Sequence, residues 1–161
     1  MCIRPYKSDD FEAIESIYNV SKLDELRYEN QIFELLPLLS DEHRLNSLLE
    51  SQIIVYDDHE ILGYGAYLDS EIRSLFVHPA TRNQNIGSKL LVHMLKLATV
   101  PARLFVAKSN KPAKQLYSKY GFKVTEEFQT SYNGIPVLAN KMEQSFCLFY
   151  TFYEKHYVPD L

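Results

Sequence analysis

Residues 74–91, SLFVHPATRNQNIGSKLL, carry an apolar run that stops at Pro79, cross a polar patch holding one glycine, and resume as a leucine-rich amphipathic segment. That order reads as strand, short loop and helix. A helix entered this way points its unpaired N–H groups and the positive end of its dipole at whatever lies outside the loop, which is an anion site. Apart from Ile86, residues 82–88 are small or polar, as close backbone approach requires. Gly87 permits such approach, and Asn85 is of the non-glycine type that best tolerates left-handed φ. The loop alone reads more readily as an ordinary helix entry, with Gly87 present for packing. A Walker-type loop needs two glycines and a Lys-Ser/Thr pair, and a dinucleotide fingerprint needs three glycines; the patch has neither, so ATP and NAD are poor candidates.

Working outward, Glu71 to Val77 is the strand that feeds this loop, and Ile86, Leu90, Met94 and Leu95 recur at helical spacing behind it. Pro101 bounds that helix before a strand at 103–107, and a second helix starts between Asn110 and Pro112. In it Ala113, Leu116, Tyr117 and Tyr120 share a face, and Gly121 supplies a left-handed stop. Residues 122–142 read as a hairpin turning at Asn133-Gly134. Upstream, QIIVYDDHEILGYGAYL (52–68) gives a hairpin around Asp57 to Glu60. The chain opens with a short strand, Cys2 to Tyr6, and a helix from about Asp9 capped by Ser8 or Asp9, with Phe11, Ile14, Ile17 and Tyr18 on one face. From Leu23 to Leu49 the text is helical but broken at Pro37, which predicts two short helices, the second capped by Ser40 or Asp41. The sum is an α/β fold with a mixed sheet and ligand sites near the carboxyl ends of its strands.

A chain of 161 residues, 46% hydrophobic and 24% charged, has the length and balance of one soluble domain with one core. Its net charge of -4 argues against broad binding to nucleic acid or acidic membrane surfaces. Cys2 and Cys147 are too few for a disulfide framework or a cysteine-built metal site. No signal peptide or membrane span is visible, so the cytoplasm is the default compartment. No metal is expected.

With two motifs in place, the chain resembles the GNAT N-acetyltransferase superfamily over residues 1–143. The family's acyl-CoA loop, Gln/Arg-x-x-Gly-x-Gly/Ala, falls on Arg82, Asn83, Gln84, Asn85, Ile86 and Gly87, with Asn85 in place of the first glycine. A second motif, Asn-x-x-Ala-x-x-x-Tyr followed by Gly-Phe, is met by Asn110, Ala113, Tyr117, Gly121 and Phe122. The opening IRPYKSDDFEAI also looks like the family's first strand and helix. The resemblance implies a mixed, mostly antiparallel sheet flanked by helices. It also implies that acetyl-CoA lays its pantetheine arm against the backbone of Leu75, Phe76 and Val77. Amides from Asn83 to Ser88 would then hold the pyrophosphate, with Asn110 and Tyr117 flanking the sulfur. Lys89 is either a further phosphate contact or, more commonly for such a residue, a solvated helix lysine.

The chemistry can be built beside that likeness. An amine attacking a thioester must be neutral, the carbonyl oxygen becomes an oxyanion, and the departing thiolate benefits from a proton. Backbone N–H groups at the end of the 71–77 strand can serve the oxyanion, and the Tyr117 hydroxyl, protonated at neutral pH, can serve the sulfur; otherwise Tyr117 is a core aromatic. Some members of the family carry a glutamate on the strand before the asparagine motif, where this chain has Phe105. Glu71 is the alternative base, acting through water, unless it is an exposed strand-end charge. His78, which titrates in the useful range, reads as a polar residue before the proline turn. These groups imply direct transfer from acetyl-CoA to a primary amine, small molecule or peptide. The alternative is a non-catalytic acyl-CoA-binding module or sensor.

The acceptor is expected between residues 23–49 and the hairpin at 129–137, where Asp24, Glu25, Glu29 and Glu34 either attract a cationic amine or form a solvated face. Residues 144–161 form an aromatic-rich extension with Phe146, Phe149, Tyr150, Tyr153 and Tyr157 at helical spacing. Packing on the domain itself or across a homodimer is the expected use of that face, ahead of membrane binding.

Overall fold

In a computed structural model that describes residues 1–145, seven strands form one sheet in the order β1-β2-β3-β4-β5-β7-β6. They are β1 Cys2–Pro5, β2 Gln52–Asp57, β3 Ile61–Leu68, β4 Glu71–Val77, β5 Arg103–Ala107, β6 Phe122–Tyr132 and β7 Ile135–Gln144. All neighbours run antiparallel except β4 and β5. The helices are α1 Phe11–Ser21, α2 Glu42–Leu49, α3 Ile86–Leu97 and α4 Lys111–Lys119. This is the mixed, mostly antiparallel α/β sheet expected. The aromatic extension lies outside the described residues, apart from its first two positions.

Alternation along the strands sorts the core into two layers. Ile54 and Tyr56 of β2 join Leu90, Leu91 and Met94 of α3, while Val55, between them, joins Ile14, Ile17 and Tyr18 of α1 on the opposite face. On β3, Tyr64 and Ala66 face α1, so Gly63 and Gly65 face α3. A Cβ on Gly63 would sit 2.8 Å from the Phe76 carbonyl, and one on Gly65 would sit 2.6 Å from the Met94 sulfur. The two glycines therefore let α3 press close to the sheet.

On β4 the alternation changes phase. Ala66 of β3 pairs with Ser74 and Tyr67 pairs with Ile72, which leaves Arg73 as an extra residue. This bulge switches the faces beyond it. Ile72 packs in the α3 layer, Phe76 in the α1 layer, and Leu75 and Val77 return to the α3 side.

Two local expectations are corrected. The Ser8–Asp10 segment is a separate 3-10 turn and α1 begins at Phe11. Neither Ser8 nor Asp9 caps it; instead buried Asp10 accepts the Lys7 N–H at 2.8 Å and two Arg4 guanidinium bonds at 2.8 and 2.9 Å. Residues 22–49 hold one α-helix rather than two. Lys22–Leu26 and Leu38–Ser40 are 3-10 turns, and only α2, capped by Asp41, is α-helical. Leu23, Leu26, Phe33 and Leu36 instead pack against Tyr132 and Val137 of the β6–β7 hairpin. The hairpin turn itself is as expected, with Asn133 at φ 47° and Gly134 at φ 77°.

Candidate functional site

β4 and β5 are paired only at Glu71 with Arg103 and Ile72 with Leu104, and beyond those residues they part. The splay opens into a cleft of about 900 Å³. Its walls come from β4, β5, α4, the first turn of α3, residues 21–28, α2 with Leu38, the β6–β7 hairpin, and Tyr18 and Tyr64 of α1 and β3.

Asn85 has the left-handed backbone that its sequence suggested, φ 61°, ψ 14°, and Asn83, for which no such expectation arose, is left-handed too at φ 64°. No side chain caps α3, and the Asn85 carbonyl receives its first helical bond from the Lys89 N–H at 3.0 Å. The preceding amides of Ile86, Gly87 and Ser88 lie in the turn that has no intrahelical acceptor. A Cβ on Gly87 would meet Val77 Cγ2 at 3.7 Å and Leu116 Cδ2 at 3.8 Å, ordinary contact distances. The protein's own packing therefore does not require glycine there, and its absent side chain keeps a gap open between β4 and α4. Those open amides and that gap fit the pyrophosphate and pantetheine of acetyl-CoA.

The other cradle residues divide by their side chains. Asn83, Gln84 and Asn85 are exposed and Ser88 is half-buried. Arg82 pairs with Asp24 at 2.5 Å. Lys89 lies over the Tyr56 ring, 5.5 Å from its centroid, with its Nζ 3.4 Å from the Tyr56 hydroxyl. Leu75 and Val77 border the cleft, whereas the Phe76 ring is buried between Tyr18 and Tyr64 at 5.5 and 5.6 Å, so only its backbone could serve a ligand. The Val77 carbonyl already accepts weak bonds from Ser21 Oγ and Arg82 Nε, each at 3.4 Å.

Tyr117 and Asn110 reach the same cleft from α4. Asn110 is the N-cap of that helix, its Oδ1 accepting the Ala113 N–H at 3.3 Å. Tyr117 packs its ring against Phe122 at 5.9 Å between centroids. Burial, with a smaller contribution from the Glu25 carboxylate, pushes its phenol above the ordinary range, so it holds its proton at neutral pH.

The carboxylates have distinct fates. Glu71 sits where β4 and β5 are still joined, 3.4 Å from Arg73 Nε and 3.5 Å from Arg103 Nη2. Arg73 Nε has no well-aligned acceptor despite that approach, and its Nη1 lies 3.3 Å from Glu50. Phe105 is half exposed and meets Phe128 edge-on at 5.7 Å. Asp24 is taken by Arg82, and Glu29 is bonded by Ser109 Oγ. Glu25 borders the cleft and accepts from Lys22 Nζ at 2.6 Å.

Lys22 is what sequence reasoning missed. Its side chain is 5% exposed, and its Nζ lies 5.9 Å from the Tyr18 ring centroid and 5.3 Å from that of Tyr132. Burial lowers its pKa, with Glu25 opposing. A Lys three residues before a Glu reads as a solvated helical pair, and nothing in KLDEL betrays its burial.

The model of the GNAT acetyltransferase domain matches residues 36–144, most of the chain and all of the cleft's strands. The chain belongs to the GNAT family. A peptidyl-lysine N-acetyltransferase, YjaB of Salmonella typhimurium, is 33% identical over 84 residues, which span 52% of this GNAT chain and 57% of that relative. Among solved structures, a GCN5-related N-acetyltransferase from Rhodopseudomonas palustris superposes with TM-score 0.72 at 18% identity, covering 90% of this chain and 95% of that one. The acetyltransferase yncA of Salmonella typhimurium, described as putative and solved with its cofactor acetyl-CoA, gives TM-score 0.69 at 22% identity, over 99% and 98% of the two chains. At those identities the likeness concerns the fold. Among the described residues of this GNAT chain, no group of three or more His, Cys, Asp or Glu is placed to hold a metal, and no helix is long and apolar enough to cross a membrane.

Proposed function

We propose that the protein transfers an acetyl group from acetyl-CoA to a primary amine by direct attack within the β4–β5 splay. The observation that carries this reading is one continuous cleft joining the uncapped N-terminus of α3, the parted strands and the Tyr117 hydroxyl. When bound, acetyl-CoA supplies the activated thioester. The amides of Ile86, Gly87 and Ser88, with the loop from Asn83, would hold its pyrophosphate. Past Ile72, the backbone edge of β4 that faces the splay has no strand partner, so amides around Leu75 and Val77 can bind the pantetheine arm and the developing oxyanion. Tyr117, protonated, donates to the leaving sulfur, and Asn110 steadies the helix that carries it.

The acceptor would enter past residues 22–28 and the β6–β7 hairpin. A lysine side chain is among the amines to try, since the curated relative is a peptidyl-lysine acetyltransferase. The experiment is calorimetric titration with acetyl-CoA, followed by thiol release across polyamines, aminoglycosides, amino acids, lysine peptides and peptide N-termini. Binding with transfer to an amine upholds the reading, binding without turnover to any of them points to a sensor, and no binding at millimolar acetyl-CoA refutes both.

A further inference from the structure

We infer that Glu25 receives the proton released by the acceptor amine and that buried Lys22 is the positioning residue that holds it there; this rests on the acetyl-transfer reading above. Glu25 is 35% exposed, and that exposed part borders the cleft. Glu25 shares the wall of that cleft with Tyr18 on α1, Tyr64 on β3, Tyr132 on β6 and Tyr117 on α4, so it lines one chamber to which four elements contribute. Lys22, Asp41 at the cap of α2, and His43 and Arg44 within α2 are the further charged and titratable groups on this side of the cleft. The segment carrying Glu25 is pinned to the carboxyl end of β4, where the acyl group would lie. Ser21 Oγ reaches the Val77 carbonyl at 3.4 Å, and Asp24 pairs with Arg82 just beyond that strand.

The neighbouring carboxylates are committed elsewhere. Glu71 faces two guanidinium groups at the joined end of the splay, Asp24 is paired, and Glu29 is bonded by Ser109. Lys22 makes Glu25 more than a passing charge. A lysine this buried has given up most of its hydration, so it stays against its carboxylate partner and fixes where that carboxylate points. The Tyr18 hydroxyl is buried without a hydrogen-bond partner beside this pair.

In the step this geometry suits, the amine nitrogen bonds to the acyl carbon and the carbon–sulfur bond breaks. The nitrogen's proton passes to Glu25, directly or through one water, and the sulfur takes the Tyr117 proton. Glu25 then returns its proton to solvent and Tyr117 recovers one, which restores both groups.

The test measures kcat/KM against pH from 6 to 9.5 for a lysine peptide with a blocked N-terminus and for n-butylamine, using wild type, Glu25→Gln, Glu25→Asp, Lys22→Met and Glu71→Gln. Glu25→Gln should lower the rate at pH 7 by on the order of 10²-fold. The deficit should narrow as pH approaches the amine's own pKa, where proton removal no longer needs the enzyme. Acetyl-CoA affinity should hold, because Glu25 is not part of the cradle. Glu25→Asp, which keeps a carboxylate, should recover part of the rate and the wild-type form of the profile. Lys22→Met should lose less than Glu25→Gln and keep that form. An ion pair that only stabilises the fold would shift melting and leave the profiles alone. Wild-type rates and profiles in Glu25→Gln, or loss of the pH dependence in Glu71→Gln instead, would overturn the assignment of Glu25 while sparing acetyl transfer. If the wild type acetylates neither amine, nor any in the wider panel, the acetyl-transfer reading falls and Glu25 falls with it.

Discussion

Gly87→Ala separates what the protein needs from what its ligand needs. The added methyl would meet Val77 Cγ2 at 3.7 Å and Leu116 Cδ2 at 3.8 Å, so the unliganded fold can accept it without displacement. Alanine is also a better helix residue than glycine by about 0.5–1 kcal/mol. For a domain of this length, each kcal/mol moves the melting temperature by roughly 2–4 °C. The unliganded variant should therefore melt about 1–4 °C higher than wild type. The same methyl projects into the gap between β4 and α4 that we assign to acetyl-CoA, and overfilling a closely packed space costs about 1–3 kcal/mol. At 1.4 kcal/mol per decade, the dissociation constant should rise about 5- to 150-fold. Scanning calorimetry without ligand and isothermal titration with acetyl-CoA measure the two effects separately. An unchanged dissociation constant would mean the gap is not the cofactor's, and a lowered melting temperature would mean Gly87 serves the protein's own packing after all.

Asn85 at φ 61° offers a paired test: Asn85→Gly should bind acetyl-CoA at least as well as wild type, while Asn85→Val, which resists left-handed backbone by about 1–2 kcal/mol or more, should bind it more weakly. Titration of the two variants should rank them in that order, and equal affinities would contradict the loop geometry. Asp10 concerns stability alone. Its bonds to Arg4, opposed by burial, hold its carboxyl below the ordinary carboxylate range. Such a group adds stability that is fully present above the unfolded value near 3.9 and is lost as pH falls through the lower folded value. Urea unfolding from pH 2 to 6 should thus show wild-type stability falling with acid more steeply than that of Asp10→Asn, which should be the less stable protein at pH 6.

The strand, loop and helix of residues 74–91 were legible because period, proline and turn chemistry agree locally. Asn85 did take the left-handed conformation, and Asn133-Gly134 did make the hairpin turn, since both depend on residues adjacent in sequence. Tyr117 and Asn110 could be placed by spacing along one helix. The bulge at Arg73 could not, because EIRSLFV reads as an uninterrupted strand and the extra residue exists only relative to β3. Nor could the reach of the splay, which depends on how few residues β4 shares with β5. The 3-10 turn at Lys22–Leu26 reads as helix because its apolar residues Leu23 and Leu26 answer to the β6–β7 hairpin, about a hundred positions downstream, whereas Leu38 of the second turn packs in the α1 layer. The burial of Lys22 follows from that same docking: a local reading of KLDEL puts the lysine in solvent, and only Tyr132 arriving from the far end of the domain encloses it.

The most direct test of acetyl transfer in this cleft is the thiol-release rate of Tyr117→Phe, measured per folded molecule beside its thermal melt. The variant keeps the ring that packs on Phe122 and removes the hydroxyl proposed to protonate the sulfur. We predict a fall in turnover on the order of 10² to 10⁴, with the melting temperature and the KM for acetyl-CoA nearly unchanged, a pattern that assigns the loss to the transition state. Near-normal turnover in a folded variant would contradict the account and leave Tyr117 as a packing aromatic.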